Sequence, residues 1–478
     1  MTDYSKFFKA YDIRGTVPEL NAELYYWAGY GLIELILKPD NLPMEVNVTH
    51  DGRYSSNEFY TALVEGIKAA GGQPIQLGLG STDTAYAASQ YNTFAAISLT
   101  ASHNPKDDNG MKILKTGSTM LGITNGLDKI RDFVVTKMGT NSTDFKSLAY
   151  PTTDDLTKSK VMEYFKDVIR KLGEIDRVDS ILDSRGQKLI IPVDAGNGTG
   201  GFVMDFIKNF YRNIEFVPMY WEVDGNFPNH PADPQDLKNL VDLQAKVIEL
   251  KSKFGFAFDG DADRVGFVDE KGEVVCGDYL VAFLAKTLLE ANKRNPHPTL
   301  SHSVVYIQPG SRCVIDAITD QDGIAIPSTQ GHTGIKANMT KHKALYGGEF
   351  SGHHYFGEFG FLDSGVITAV LMIKICVEQD KPMSEMFESL GQSYFISDLM
   401  NLTVPEGQDF DMWKAKLKAK FTDATISEFD GISVFYPDWK FSMRSSKTEP
   451  KVRFILESRI NDTTTDKVTL VKSVLGLE

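Results

Sequence analysis

Three aspartates at alternate positions form the first pattern that could do chemistry: Asp259, Asp261 and Asp263. They follow an apolar stretch, residues 254–258, and Arg264 comes directly after them. In an extended loop, carboxylates two residues apart fall on one side and can converge on a hard cation. Three protein oxygens leave room for a phosphate oxygen, which is a common way of holding Mg²⁺. The loop lacks the length and terminal glutamate of an EF-hand, so the other interpretation is an acidic surface turn.

A serine follows a second apolar stretch. Ser102 lies in residues 100–105 (TASHNP), directly after the strand-like residues 94–99. Because α/β folds place ligands at the ends of strands, this serine is expected to be exposed on a rigid mount. His103 beside it does not indicate a hydrolase, since neighbouring side chains of an extended strand diverge and a GxSxG motif is absent. A turn in which serine and asparagine cap backbone groups remains the alternative.

A glycine-rich segment, residues 347–354 (GGEFSGHH), combines Glu349 and Ser351 with two adjacent histidines. Adjacent histidines diverge and the HExxH spacing is absent, so zinc is the weaker interpretation. The glycines around Glu349 and Ser351 indicate close approach of the backbone to a ligand. Glutamate and serine side chains suit the hydroxyls of a sugar.

A local basic cluster lies near the end of the chain. Residues 444–450 (RSSKTEP) and Arg453 bring two arginines, one lysine and three hydroxyls together. Arginine forks, hydroxyls and turn amides can form a cradle for an oxyanion, and a solvated basic loop is the alternative. Residues 9–15 (KAYDIRG) and 331–336 (GHTGIK) add weaker support, because an exposed basic loop explains each of them equally well.

The elements that must position these motifs alternate between strand and helix. This rhythm indicates mostly parallel sheets with helices on their faces, so the sequence predicts three related α/β units. The last roughly 100 residues instead alternate short strands with flanking helices, as in a smaller α+β domain. The predicted strands are 45–48, 74–77, 94–99, 188–193, 254–258, 304–307, 323–326, 431–436, 439–443 and 453–458, and the predicted helices are 57–70, 202–210 and 311–318.

The length of 478 residues suggests about three domains, and two to four are consistent with it. Polar or turn-like stretches at 141–155, after 269–272 and at 379–382 mark candidate boundaries. The predicted α/β domains are residues 1–150 with the Ser102 loop, 151–274 with the aspartate loop and 275–380 with the GGEFSGHH loop. Residues 381–478 form the predicted α+β domain with the basic loop.

Composition and charge exclude several classes of protein. Hydrophobic residues make up 42% and charged residues 24%, which excludes a disordered, collagen-like or disulfide-scaffold chain. The net charge of −14 disfavours nucleic acid as a partner, so any phosphate site must be a local basic cluster. The N-terminal segment lacks the apolar core of a secretory signal, and Glu34 and Lys374 interrupt the apolar stretches 25–37 and 366–377. With three widely spaced cysteines, these features predict a cytoplasmic protein without a membrane span.

Taken together, these segments resemble the α-D-phosphohexomutase family, and most closely its phosphomannomutase/phosphoglucomutase branch. The motifs YDIRG, TASHNP, NGMK, DGDADR, GHTGIK, GGEFSGHH and RSSKTEP occur in the family's order and span Tyr11 to Arg453. TASHNP and DGDADR in one chain are highly specific. Residues 224–234 (DGNFPNHPADP) also resemble a family loop, and DGISVFYPDWKFSMR before the last motif resembles the bacterial phosphomannomutase type.

The resemblance implies three α/β domains with mixed, mostly parallel sheets and a C-terminal α+β domain around a central cleft. It implies that Ser102 carries a phosphoryl group whose oxygen, with the three aspartates, holds one Mg²⁺. Catalytic positions are also implied for His103, Lys112 and Arg14, with Lys112 acting as a base only if its pKa is lowered. Substrate contacts are implied for Arg264, Gly331, His332, Glu349, Ser351, Arg444, Ser446, Lys447, Thr448 and Arg453. Lys447 stands where the family usually has asparagine, so its own role is left open.

The function that the resemblance implies is interconversion of mannose 6-phosphate and mannose 1-phosphate. The phosphoserine passes its phosphoryl group to the sugar phosphate, which forms hexose 1,6-bisphosphate. The bisphosphate then turns around and returns its other phosphoryl group to the serine. Both transfers depend on positioning and charge neutralisation. The bisphosphate is also the expected activator, and glucose phosphates are further candidate substrates. Phosphoglucomutase, phosphoglucosamine mutase and a non-catalytic sugar-phosphate-binding protein remain alternatives. The expected partner is hexose phosphate, without nucleic acid or membrane, and the expected oligomeric state is a monomer or homodimer.

Overall fold

The computed structural model describes residues 2–445, 451–459 and 461–477. The chain divides into two compact units, each built from two separate segments. The first unit comprises Met1–Val275 and Ser351–Met383, and the second comprises Cys276–Phe350 and Ser384–Glu478. Among the described residues, no helix combines the length and apolar character that crossing a bilayer requires. The predicted domain boundaries at 150, 274 and 380 remain predictions.

The first sheet carries the Ser102 motif. Its strands are β1 (Ile13–Thr16), β2 (Glu45–His50), β3 (Gln73–Leu79), β4 (Ala95–Leu99), β5 (Asp108–Lys115) and β6 (Thr119–Met120), and its helices are α1 (Ala22–Leu32), α2 (Ser56–Ala69), α3 (Thr82–Tyr91) and α4 (Leu127–Lys137). The strand order is β1-β5-β4-β2-β3, with β6 on β5, and β2 runs parallel to β3 and β4. β4 is buried along its whole length, as an apolar strand covered on both faces should be. β5 runs antiparallel to β4 and places Lys112 opposite Ser98.

The second sheet carries the aspartate loop. Its strands are β7 (Leu189–Asp194), β8 (Ile214–Met219), β9 (Phe254–Phe258) and β10 (Val265–Asp269), and its helices are α5 (Asp155–Gly173), α6 (Ile175–Arg185), α7 (Gly200–Ile207) and α8 (Val241–Leu250). β7 runs parallel to β8 and β9. β9 and β10 form an antiparallel hairpin in which Phe258 pairs with Val265. Residues 259–264 are therefore the hairpin connection, anchored by the fully buried β9.

Three parallel strands belong to the second unit. The strands, in the order β12-β11-β13, are β11 (Ser301–Ile307), β12 (Ile324–Ser328) and β13 (Ala344–Gly348), and the accompanying helices are α9 (Gly277–Arg294), α10 (Arg312–Thr319) and α11 (His332–His342). Helical crossovers between parallel strands are what the strand–helix–strand pattern predicts. The third α/β unit of the prediction is thereby confirmed.

Residues 351–383 return the chain to the first unit. They form the antiparallel hairpin β14 (His354–Phe356) and β15 (Leu362–Asp363), followed by α12 (Gly365–Gln379). The side chain of Ser364 caps the amino end of α12. Gly365 N donates to Ala262 O at 3.2 Å, and a Cβ at Gly365 would lie only 2.7 Å from Arg264 O. The largely buried α12 therefore supports the aspartate loop, and only glycine allows this close approach.

The last sheet belongs to the second unit, and its described strand pairs are antiparallel. Its strands are β16 (Tyr394–Ile396), β17 (Met400–Leu402), β18 (Thr425–Ser427), β19 (Ile432–Phe435), β20 (Trp439–Ser445) and β21 (Val452–Arg459), and the accompanying helices are α13 (Met383–Ser393), α14 (Phe410–Lys420) and α15 (Thr464–Leu475). Trp413, Phe441 and Phe454 form part of its buried core. This confirms the α+β architecture predicted for the C-terminal region. Short 3₁₀ turns lie at Tyr4–Phe7, Phe145–Ser147, Lys208–Phe210, Leu237–Leu240 and Gly357–Phe359, and a π turn lies at Ile33–Leu37.

A buried carboxyl in the second unit makes stability dependent on pH. Burial raises the pKa of Asp278 from 3.8 to about 6, against the hydrogen bond from Ser311 N (2.8 Å) and the charge of Lys440. Between these two values the folded protein keeps a proton that the unfolded chain has lost. The unfolding free energy therefore falls as pH rises through this window, by about 3 kcal/mol at most.

Asp278→Asn should remove this fall in unfolding free energy with rising pH, because the amide oxygen still accepts from Ser311 N but the side chain carries no charge. We expect the variant to unfold at higher denaturant concentration than wild type at pH 7, with a smaller difference at pH 4.5. Urea titrations at the two pH values measure this. A variant that is less stable than wild type at pH 7 would contradict the assignment.

Candidate active site

Ser102 lies in a tight turn just beyond the end of β4. Its φ of +53° is uncommon for a residue with a Cβ, so the surrounding structure must hold it. Its N–H donates to Thr100 Oγ1 at 2.8 Å, and its hydroxyl donates to Asp259 Oδ2 at 2.8 Å. The prediction that Ser102 is exposed is wrong, since only 1% of the residue is exposed. The aspartate loop covers the turn so closely that a Cβ at Gly260 would lie 2.5 Å from Ser102 O.

The three aspartates of the hairpin connection converge as predicted. Asp259, Asp261 and Asp263 are fully buried, and each offers an oxygen within 4.8 Å of the others. Ala262 takes a left-handed conformation, which bends the loop around the cluster. Among the described residues, Asp261 Oδ1 and Asp263 Oδ1 find no hydrogen-bond partner. Buried carboxylate oxygens without a partner are costly, and these two, with an oxygen of Asp259 beside them, suit a hard divalent cation.

Lys112 reaches this cluster from β5. Its ammonium donates to Asp261 Oδ2 at 2.7 Å and also to Asp263 Oδ2. Burial acts to lower the pKa of Lys112, but the charges of Asp261 and Asp263 outweigh it and raise that pKa. The condition for a basic Lys112, a lowered pKa, is therefore not met, because the aspartates hold the ammonium form. The side chain is arranged to neutralise the carboxylates and to donate hydrogen bonds.

Electrostatics differ among the three carboxyls. Burial raises the pKa of Asp259 well above its usual value, and the charges of Asp261 and Asp263 add to the rise. Burial acts in the same direction on Asp261, but Lys112 and a hydrogen bond from Thr82 Oγ1 (2.5 Å) lower the pKa of that carboxyl instead. The neighbours of Asp261 thus hold it in the ionised form, in contrast to Asp259.

Two arginines and a histidine border the Ser102 turn. Arg14 donates to Asn104 Oδ1 at 3.0 Å and pairs with Asp12 at 2.7 Å. His103 Nδ1 lies 3.2 Å from Ser102 Oγ. Burial lowers the pKa of His103 well below its usual value, and the charges of Arg264 and Arg14 add to this, so the imidazole is neutral. The turn is therefore flanked by positive charge, which suits a phosphoryl group.

Arg264 is oriented by a histidine from the GGEFSGHH motif. Its Nε donates to His353 Nε2 at 2.7 Å, and the guanidinium lies 3.7 Å from Asp259 Oδ2. His353 Nδ1 in turn lies 2.8 Å from Asp363 Oδ2. Since Nε2 accepts from Arg264, Nδ1 must carry the proton that Asp363 accepts. Ser351 of the same motif is buried in the first unit.

The remaining predicted substrate residues lie in the second unit or outside the described ranges. Gly331, with φ +119°, precedes α11, and His332 is the first residue of that helix. Glu349, after β13, is 2% exposed. Arg444 and Arg453 are directly paired across β20 and β21, so their side chains leave the sheet on the same face. Ser446, Lys447 and Thr448 lie outside the described residues.

Three regions of the chain match known domains. Sequence models of phosphoglucomutase/phosphomannomutase, alpha/beta/alpha domains I, II and III, match residues 5–137, 163–272 and 276–394. A phosphomannomutase/phosphoglucomutase of Pseudomonas syringae pv. tomato is 34% identical over 449 residues, covering 93% of this chain and 89% of the relative. A phosphomannomutase of Vibrio cholerae is 30% identical over 480 residues, covering 98% of each. A crystal structure of a phosphoglucomutase/phosphomannomutase family protein from Burkholderia thailandensis has a TM-score of 0.80 and 26% identity, covering 100% of this chain and 98% of that one.

The chain belongs to the phosphoglucomutase/phosphomannomutase family. This confirms the predicted family and the predicted class of enzyme, an isomerase of hexose phosphates. It also gives the buried cluster of Ser102 and three aspartates a chemical context, since phosphoryl transfer needs positioned oxygens and neutralised charge.

Two residues of this phosphohexomutase site were not predicted from the sequence. Thr82, at the start of α3, donates to Asp261 Oδ2 through its hydroxyl and to Asp261 O through its N–H (3.1 Å). Arg53, in the turn after β2, donates to Ser102 O at 2.8 Å. The local signal for each was only a polar residue just beyond a strand, as in GST at 80–82 and DGR at 51–53. Both residues follow the carboxyl end of a strand, where α/β folds place their ligands.

Proposed function

We propose that this protein interconverts mannose 6-phosphate and mannose 1-phosphate through a phosphoserine at Ser102 and a hexose 1,6-bisphosphate. Glucose phosphates are further proposed substrates, and phosphoglucomutase or phosphoglucosamine mutase is the alternative activity. The observation that carries the proposal is the buried hydroxyl of Ser102, bonded to Asp259 within a cluster of three carboxylates. A non-catalytic sugar-phosphate-binding protein would not need a buried serine hydroxyl aimed at such a cluster.

Asp259, Asp261 and Asp263 would hold one Mg²⁺ together with a phosphoryl oxygen on Ser102. When bound, the ion would neutralise charge on the transferring phosphoryl group. Lys112 fixes Asp261 and Asp263 by its two hydrogen bonds. Arg264, held by His353, adds positive charge beside Asp259.

In the proposed transfer, the bond between phosphorus and Ser102 Oγ breaks as a bond to the sugar hydroxyl oxygen forms. The proton of the sugar hydroxyl passes to Ser102 Oγ, and the restored serine hydroxyl makes the hydrogen bond to Asp259 Oδ2. The neutral His103 lies within 3.2 Å of the same oxygen and is placed to relay that proton. Arg14 orders the turn through Asn104 and adds positive charge near the transferring group.

The non-transferring phosphate is assigned to the basic cluster of the second unit. Arg444 and Arg453 are paired across two strands, and Arg453 Nε is buried without a hydrogen-bond partner among the described residues. A buried guanidinium donor without a partner suits an oxyanion. Ser446, Lys447 and Thr448 are proposed to complete this cradle, and Arg264, Gly331, His332, Glu349 and Ser351 are proposed to contact the substrate.

The cellular setting is also part of the proposal. Three cysteines without a disulfide are consistent with a reducing compartment, so we place the reaction in the cytoplasm. The hexose phosphate is the proposed partner, hexose 1,6-bisphosphate is the proposed activator, and a monomer or homodimer is the proposed state.

Arg444→Ala should raise the KM for both the 1-phosphate and the 6-phosphate by about one to two orders of magnitude. The reason is that one clamp holds the non-transferring phosphate in either orientation of the sugar. Steady-state kinetics with each isomer measures the effect, and Arg453→Ala should behave alike. Arg294→Ala, an exposed arginine of the same unit, is the control. KM values within twofold of wild type for both isomers would remove the clamp assignment.

The proposed function is tested by a mutase assay with mannose 1-phosphate, Mg²⁺ and a trace of hexose 1,6-bisphosphate. The expected product is mannose 6-phosphate, formed only when Mg²⁺ is present. Parallel assays with glucose and glucosamine phosphates rank the substrates and decide between the mutase alternatives. Absence of turnover with the phosphates of all three sugars would contradict a mutase and favour a non-catalytic sugar-phosphate-binding protein.

A further inference from the structure

Arg53 makes an unusual set of contacts with the loop that carries Ser102. The residue is 3% exposed, and its guanidinium donates to four backbone carbonyls between residue 102 and the start of β5. The acceptors are Ser102 O (2.8 Å) and Asn104 O (2.7 Å) on one terminal nitrogen, and Pro105 O (2.6 Å) and Asp108 O (2.9 Å) on the other. The four carbonyl oxygens surround the two terminal nitrogens of the guanidinium, as backbone carbonyls surround a bound cation.

The other contacts of Arg53 fix it in place and shield it. Its Nε donates to Asp51 Oδ2 at 3.1 Å, and Asp51 also accepts from Ser56 Oγ at 2.8 Å. All five N–H donors of the guanidinium are then used, so Arg53 has none left for a substrate. Phe227 covers the guanidinium at 5.3 Å from its ring centroid. This phenylalanine belongs to the 224–234 segment, a sequence motif that the proposed chemistry does not use.

We propose that Arg53 is a positioning residue that sets the Ser102 turn for phosphoryl transfer, with Phe227 as its cover. This inference rests on the proposed function. The left-handed backbone of Ser102 requires external support, and the carbonyl of that same residue is one of the four that Arg53 holds. Transfer in line with a sugar hydroxyl is sensitive to small displacements, since a shift of about 1 Å can cost about 100-fold in rate. Arg53 therefore acts on the reaction through Ser102 and not by touching the substrate.

Arg53→Lys is the test, because an ammonium has three donors and cannot serve five acceptors. We expect amide hydrogen exchange in residues 102–108 to rise about tenfold or more, while the peptide covering β4 exchanges as in wild type. We expect kcat to fall about 100-fold and KM to stay within about threefold, since the phosphate clamp is untouched. Arg185→Lys is the control for the substitution itself, because Arg185 is exposed and donates to one backbone carbonyl far from Ser102 in sequence, Val377 O, at 2.6 Å.

Unchanged exchange in 102–108, or the same loss of kcat in Arg185→Lys, would overturn the proposal. Phe227→Ala provides a second variant if Arg53→Lys fails to fold. Phe227→Ala should raise amide hydrogen exchange in residues 102–108 about threefold, because water would then reach the guanidinium of Arg53. Unchanged exchange in these residues would contradict the proposal that Phe227 shields Arg53. A wild-type protein without mutase activity would sink the proposed function, whereas the exchange data would still decide whether Arg53 holds the Ser102 turn.

Discussion

Ser102→Ala is expected to reduce mutase turnover by about 1,000-fold or more, because the proposed reaction has no other acceptor for the phosphoryl group. The folded structure should persist, since alanine is smaller and the substitution removes a single hydroxyl. Turnover with mannose 1-phosphate and the melting temperature of the same preparation measure the two expectations.

Ser89→Ala is the control for that loss. Ser89 is a buried serine in α3 whose hydroxyl donates to Tyr86 O at 2.8 Å and lies 2.7 Å from Ser118 Oγ, so its removal also deletes buried hydrogen bonds. It should retain nearly wild-type turnover. If Ser102→Ala turned over as fast as Ser89→Ala, the phosphoserine mechanism would have to be abandoned.

The second large effect is expected from Asp261→Asn. Asp261 combines a lowered pKa with an Oδ1 that has no partner among the described residues, so it is a strong candidate ligand. We expect Mg²⁺ affinity to fall and kcat to fall about 100-fold or more, while the KM for hexose phosphate changes only a few-fold. Calorimetric Mg²⁺ titration and steady-state kinetics provide the two readouts.

Asp269→Asn is the matched control for Asp261→Asn. Asp269 is a buried carboxylate at the end of the same hairpin, and its Oδ1 accepts from Lys271 N and Glu273 N. Its replacement should leave Mg²⁺ affinity unchanged. Equal loss of affinity in both variants would mean that the hairpin as a whole was disturbed, and unchanged affinity in Asp261→Asn would refute the ligand assignment.

Local patterns in the sequence were sufficient to find the aspartate loop and the Ser102 turn. The alternation of Asp259, Asp261 and Asp263 specifies a shared side of a loop, and the buried β9 before it specifies where the loop starts. The central strands were found for the same reason, since a short apolar run such as β4 is typical of a strand covered on both faces.

Contacts between distant parts of the chain could not be predicted in this way. The raised pKa of Lys112 depends on Asp261 and Asp263, about 150 residues away in sequence. Lys112 lies on β5, and the two aspartates lie in the connection between β9 and β10 of another sheet. The exposure of Ser102 was predicted wrongly for a related reason, because the covering loop comes from another sheet. Arg53 shows the same limit, since its acceptors are carbonyls that carry no side-chain signal.

Phosphorylation of Ser102 by hexose 1,6-bisphosphate can be measured directly. The protein is incubated with hexose 1,6-bisphosphate and Mg²⁺, its intact mass is measured, and the modified residue is located by peptide mapping. We expect one added phosphoryl group on Ser102, absent in Ser102→Ala, that disappears when mannose 6-phosphate is added while a hexose bisphosphate is formed. A protein that gains no phosphoryl group at Ser102, or gains one that hexose phosphate does not remove, would contradict it.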